Sequence, residues 1–149
     1  MSATAVRETV DTASRPMTTG DIPDVIGLLR AAPQTAYCEW EDDRLLGQHL
    51  AHAADICRVM RDATGRVVAA VIAGSFGVRG TISHAVVAPD HRRSHLARKL
   101  VADTLSAFRE RGVRRVFLFV HDDNEAAVRL WSASGFSPTA GESTLERDV

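Results

Sequence analysis

The sequence predicts a single α/β domain, more closely α+β: a mixed, mostly antiparallel sheet containing one parallel strand pair, flanked by helices. Three observations carry this. Residues 56–88 hold three apolar, β-branched stretches broken only by Asp62-Ala63-Thr64-Gly65 and Gly77-Val78-Arg79-Gly80, so consecutive strands turn back on one another. A helical period from Leu96 to Phe108 then leads into the strand-like stretch 113–120, and a strand–helix–strand run joins parallel neighbours. Finally, 149 residues of which 45% are apolar make one core rather than two.

The elements follow in order. Residues 1–12 are small, polar and charged with no period, and read as a flexible tail ahead of a domain spanning 13–149. Residues 13–17 form a short extended segment. Thr18-Thr19-Gly20-Asp21 can cap a helix that places Ile22, Val25, Ile26, Leu28 and Leu29 on one face, with Pro23 tolerated only in its first turn. Ala31-Ala32-Pro33 ends that helix, and a second runs through Leu45, Leu46 and Leu50. Strands are expected at 56–62, 66–76 and 81–88. The longest helix follows Pro89-Asp90, carries Leu96, Leu100, Val101, Leu105 and Phe108, and stops at Gly112. Residues 113–120 are apolar at most positions, as in a strand buried on both faces. Residues 124–134 form another helix with Ala127, Val128 and Trp131 on one side and Gly135 as its cap, and 136–139 and 143–147 read as closing strands.

Charge and cysteine usage narrow the function. Eighteen basic against 19 acidic side chains give a formal charge of −1, which supplies no field for non-specific nucleic-acid or membrane binding. The longest near-apolar stretch, 67–73, is far short of the ~20 residues of a membrane helix, and no apolar signal segment opens the chain. Cys38 and Cys57 sit in no disulfide or metal-ligand spacing, so a reduced, cytoplasmic protein without a metal is expected. The near-neutral average conceals residues 91–115, where eight Lys or Arg meet only Asp103 and Glu110, an excess of six positive charges. They surround a strand that passes through a short loop straight into a helix. The first amides of a helix lack intrahelical partners and carry the positive end of its dipole, which favours a phosphate there. An ordinary solvated helix face would account for the charge equally well.

Two motifs weigh against the plain solvated face. Arg92-Arg93-Ser94-His95-Leu96-Ala97, after the strand through Ala85-Val86-Val87, is similar to the Arg/Gln-x-x-Gly-x-Gly/Ala loop of the GNAT superfamily of N-acetyltransferases. Asn124-Glu125-Ala126-Ala127-Val128-Arg129-Leu130-Trp131-Ser132-Ala133-Ser134-Gly135-Phe136 resembles that superfamily's second signature, Asn-x-x-Ala-x-x-Leu-Tyr-x-x-x-Gly-Phe. The resemblance implies a GNAT-like acyltransferase domain in which a splayed parallel pair, 81–88 and 113–120, grips acetyl-coenzyme A. Ala85, Val86 and Val87 would meet the pantetheine arm, and the amides of Arg93, Ser94, His95, Leu96, Ala97 and Arg98, with Arg92, the pyrophosphate. Asn124 and Trp131 would touch the donor from the next helix. Two departures stand out: His95 replaces the middle glycine, and Trp131 replaces the tyrosine that many relatives use to protonate the thiolate. The position of a catalytic glutamate in some relatives is Phe119 here.

A base must therefore come from elsewhere. His84 lies two residues before Val86, where strand alternation can aim it into the cleft, and an ordinary imidazole pKa of ~6.5 suits removal of an ammonium proton. A histidine satisfied at a strand surface has the same signature. Tyr37, Glu39 and Trp40, in the connection between the first two helices, combine aromatic faces with a carboxylate and suit a cationic amine, while Glu41, Asp42 and Asp43 complementing a helix N-terminus with Trp40 packed on the core would account for the stretch equally well. His121, after the buried strand, is a further acceptor contact, and a polar turn before a helix cap is the plainer account of it. Cys38 has no histidine in an activating pattern, and His49 with His52 lacks a third ligand. The leading expectation is acyl transfer from coenzyme A to the primary amine of a small molecule or peptide. Two alternatives stay open: a donor carried on a protein or a transfer RNA, and a non-catalytic relative that binds a coenzyme A ester or a protein. Relatives often pair through sheet edges, so a homodimer is also open.

Overall fold

The computed structural model describes residues 13–32, 39–92 and 95–149, and every structural statement below concerns these. They form one five-stranded sheet in the order β1 (Arg15–Pro16), β2 (Arg58–Arg61), β3 (Val67–Phe76), β4 (Arg79–Val87), β5 (Arg115–Phe117). The first four are antiparallel in sequence and β5 is parallel to β4, which is the mixed sheet the sequence predicts. Four α-helices flank it: α1 (Ile22–Ala31), α2 (Asp43–Ala53), α3 (Leu96–Glu110) and α4 (Glu125–Ala133). None is long and apolar enough to cross a membrane.

The core is laid down on β3. Every residue from Val67 to Ala73 is buried, so both faces of this strand are covered. Helices α1 and α2 pack together and against β3, while α3 packs on β2, β3 and β4. Val25, Leu29, Leu46, Leu100 and Phe108 are the anchors these helices bring.

Local chemistry explains the entries and turns. The start of α1 is tied down by buried Asp21, which accepts from the Thr18 amide at 2.8 Å and hydroxyl at 3.1 Å and pairs with Arg61 of β2. One carboxylate thus caps a helix and binds it to the sheet. The β2–β3 turn is closed by Asp62, whose Oδ1 accepts from the Thr64 hydroxyl at 2.6 Å and from the amides of Thr64 and Arg66 at 2.9 and 3.1 Å. Gly65 supplies the positive φ of 87° that the turn requires.

The Thr64 hydroxyl first, with the Arg66 and Thr64 amides, holds the Asp62 carboxyl below the usual carboxylate range. Asp103 is shifted the same way: burial pulls it up, but bonds from Lys99 and Ser14 outweigh that. Groups with depressed folded values stabilise the fold above their unfolded value of ~4 and lose that contribution as pH falls through the folded value. Asp62→Ala is accordingly expected to be less stable than wild type at pH 7, with the gap closing as acid is added below about pH 4. Urea titrations at a series of pH values check this, and a gap independent of pH would refute it.

Three expectations are corrected. The stretch 113–120 is not a strand buried on both faces: only Arg115–Phe117 is strand, it pairs on one side, and Phe117 and Phe119 are 44% and 70% exposed. The closing strands at 136–139 and 143–147 do not form, which leaves β5 at the sheet edge. An apolar β-branched run reports a preference for extended backbone, not the presence of a neighbour. Residues 137–149 contain Pro138, Gly141 and four charged side chains, and their largest apolar residue, Leu145, is 92% exposed. Finally, Pro89–His91 form a separate 3₁₀ turn, and α3 begins only at Leu96.

Candidate active site

The parallel strands β4 and β5 are paired at Arg79 with Arg115, Gly80 with Val116 and Thr81 with Phe117, and no further. Strand β4 continues to Val87, bonded to β3 on its other side. From 82 to 87 the β5-facing backbone of β4 thus has no strand partner, and the pair opens into a cleft. Ala85, Val86 and Val87 are half-buried along that opening.

The cleft leads into the basic loop. Arg92 is exposed, Arg93 and Ser94 lie outside the described residues, and His95 immediately precedes α3 with φ 64° and ψ 5°. His95 is the only non-glycine residue with positive φ among those described. The backbone therefore keeps, with a histidine, the left-handed conformation that the motif's glycine would adopt freely. Leu96 is buried in the core, while Ala97 is half-buried and Arg98 exposed. Part of the local positive charge is neutralised: Lys99 pairs with Asp103 at 2.7 Å, and Arg111 with Asp55. Because a left-handed side chain costs roughly 1 kcal/mol, His95→Gly is expected to stabilise the fold by about 0.5–1 kcal/mol. Denaturant midpoints measure this, and a loss of stability would show that the imidazole makes compensating contacts.

Downstream of β5, Asn124 caps α4, its Oδ1 accepting from the Ala127 amide at 3.1 Å. Trp131 packs edge-on against Phe136, with ring centroids 5.5 Å apart, and against the core margin. His121, Asp122 and Asp123 are exposed in the preceding turn, where the His121 carbonyl accepts from the Asn124 amide.

The acceptor candidates are only partly visible. Tyr37 and Cys38 fall outside the described residues, and Glu39 opens the 3₁₀ turn Glu39–Glu41. Trp40 in that turn reaches the sheet: its indole N–H donates to Ser83 Oγ at 2.8 Å, and Ser83 Oγ lies 2.7 Å from His84 Nδ1. The structure thus brings two sequence candidates, Trp40 and His84, together through a residue that spacing did not single out. The cause is a β-bulge. Ile72 faces His84 and Ala73 faces Ile82, so Ser83 is an extra residue on β4 and breaks the alternation there. A bulge is a register feature with no signature in composition.

Of the residues set aside as nucleophile or metal ligand, Cys38 lies outside the described residues and His49 has a structural role. His49 Nε2 sits 2.7 Å from the Ala73 carbonyl, and its ring stacks on Trp40, with centroids 4.6 Å apart. His52 is exposed. Cys57 is buried, donates to the same carbonyl at 3.3 Å, and burial pushes its thiol up to about 11, far from a reactive thiolate.

Comparison with known proteins agrees with this geometry. The acetyltransferase (GNAT) family model matches residues 22–136. A mycothiol acetyltransferase of Geodermatophilus obscurus is 31% identical over 115 residues, covering 77% of this chain; the chain spans about a third of that protein, 32% of its length. Among solved structures, Ard1 from Thermoplasma volcanium superposes with a TM-score of 0.76 at 24% identity, over 86% of this chain and 84% of that one. Diaminobutyrate acetyltransferase EctA from Paenibacillus lautus, solved with L-2,4-diaminobutyric acid and coenzyme A, gives 0.70 at 22% identity, over 85% and 74%. With a family match across more than half its length, on the elements that build the cleft and the loop, the chain belongs to the GNAT family of acetyltransferases.

Proposed function

We propose that this chain transfers an acyl group, acetyl being the simplest, from a coenzyme A thioester to a primary amine by direct attack. The observation that supports the reading is the β4 backbone at 82–87, which among the described residues has no strand on its β5 side, running into a loop that holds the left-handed turn at His95. Strand-edge amides and carbonyls suit the amide-rich pantetheine arm, as they suit added strands at other sheet edges. The first amides of α3, flanked by Arg92 and Arg98, suit the pyrophosphate. The coenzyme A bound in the EctA structure supports this donor class.

In the proposed reaction His84 takes a proton from the acceptor's ammonium, directly or through water. The neutral amine attacks the thioester carbonyl, the C–N bond forms, the C–S bond breaks, the second proton of the attacking nitrogen passes to solvent to leave the amide, and the thiolate is protonated from solvent. Solvent is assigned that role because Trp131 offers an indole N–H of no useful acidity and packs on Phe136. Tyr37, Glu39, Trp40 and His121 are the acceptor contacts in this reading, matching an amine, of a small molecule or a peptide, with aromatic and carboxylate groups. A coenzyme A substrate fits a cytoplasmic site of action.

Calorimetry with coenzyme A and acetyl-coenzyme A tests the donor, and thiol release across a panel of primary amines tests the transfer. Donor binding without release on any amine would favour a binding protein over an enzyme. No donor binding at millimolar concentration would overturn the proposal.

A further inference from the structure

The bulge on β4 makes a hydrogen-bonded chain with a defined direction. An indole N–H only donates, so Trp40 commits one lone pair of Ser83 Oγ. Trp40 is itself held: its ring stacks on His49 at 40° between planes, and His49 is anchored by its Nε2 on the Ala73 carbonyl of β3. The oxygen of Ser83 is thus fixed from behind while it faces His84 Nδ1 at 2.7 Å. Ser83 is exposed, so its own hydroxyl proton can turn to water.

We propose that Ser83, pinned by Trp40, is a positioning residue that holds His84 with a proton on Nδ1, leaving Nε2 as the atom that takes the acceptor's proton. This rests on the reading of His84 as the base. Ser83 Oγ then accepts from both Trp40 Nε1 and His84 Nδ1, and it does so before and after Nε2 is protonated. Proton transfer requires no rearrangement behind the ring, which is the advantage of a preorganised partner. With the opposite tautomer the serine hydroxyl would donate to Nδ1, and Nε2 would already carry hydrogen and be useless as a base.

Among the described residues, three polar groups on the neighbouring elements have partners of their own. On α2, His49 is bonded to Ala73; in the 3₁₀ turn, Glu41 pairs with Arg30 at 3.5 Å; Asp42 caps α2 through the Leu45 amide. Strand β3 opposes His84 with Ile72, and β5 offers Phe117 opposite Thr81. Removing the serine oxygen therefore changes the acceptor of Nδ1–H and leaves these groups in place.

The test needs no acyl acceptor. Long-range ¹H–¹⁵N spectra of the full chain, recorded across pH, report both the tautomer of His84 and its titration midpoint. Wild type is expected to show Nδ1–H when neutral. Ser83→Ala should lose that preference and titrate about half a pH unit or more lower, because the imidazolium loses a charge-assisted acceptor. Ser83→Thr should retain both properties. Trp40→Phe, which keeps a ring against His49 but lacks the N–H, should give a mixture of tautomers. A neutral wild-type His84 protonated on Nε2, or Ser83→Ala spectra that titrate with wild type, would overturn the positioning role. Failure of the base itself is distinguishable: once an amine substrate is in hand, His84→Gln would then retain the acid limb of the rate profile whatever the spectra show.

Discussion

Gly80→Val is expected to destabilise the protein by about 3 kcal/mol, a large part of the ~5–15 kcal/mol that holds a domain of this size. Gly80 is buried on β4 beneath α3, and a Cβ there would lie 2.5 Å from Phe108 Cε1, with two further ring atoms of Phe108 at 3.0 Å or closer. Phe108 is 1% exposed, so its ring cannot swing into solvent to relieve the contact without losing its burial. Overpacking must be relieved by moving α3 or spreading β4 from β5, because Gly80 is also the middle residue of the three that pair these strands. Gly80→Ala should cost about 2 kcal/mol by the same contact. Phe108→Leu alone should also destabilise, yet combined with Gly80→Ala it should cost less than the sum, since the smaller side chain clears the clash. Urea unfolding of the two single variants and the pair measures the coupling. Additive losses would mean that Gly80 is required for something other than the approach of Phe108.

His84→Gln should lower kcat/KM for acyl transfer by two orders of magnitude or more while leaving donor affinity within about twofold of wild type. Glutamine keeps a polar side chain beside Ser83 but cannot accept a proton near neutral pH. The rate should therefore lose its dependence on deprotonation of an imidazole, and amines supplied at a pH where they are already neutral should partly rescue the variant. The measurement is a rate profile across pH for wild type and variant with one amine, beside calorimetry with acetyl-coenzyme A. An unchanged profile would move the base to another residue. If donor affinity fell in parallel with rate, His84 would belong to the coenzyme A site.

Much of the fold is legible in local signals. The Asp62–Gly65 turn, the meander it closes and the helix stop at Gly112 follow from side chains acting on backbone within a few residues, and these hold in the structure. The cap at Asn124 does as well. The strand β4 and the start of α3, between which the donor phosphates are proposed to bind, were legible for the same reason, because they adjoin in sequence.

Elsewhere the sequence leaves the outcome open. An apolar run at 113–120 states that extended backbone is favoured, whereas whether it is covered depends on a neighbouring strand, and none forms beside β5 among the described residues. Leu96 reads as a loop amide by motif, and packing makes it a core residue. The chain by itself thus determined the family and the order of elements as far as α4, because those reside in periodicity and short motifs. Only the tertiary structure decided that Ser83 stands between Trp40 and His84, 43 and one residues away, and that Gly80 must remain bare beneath Phe108. Both depend on strand register and helix approach, which arise when distant segments pack and leave no pattern along the chain.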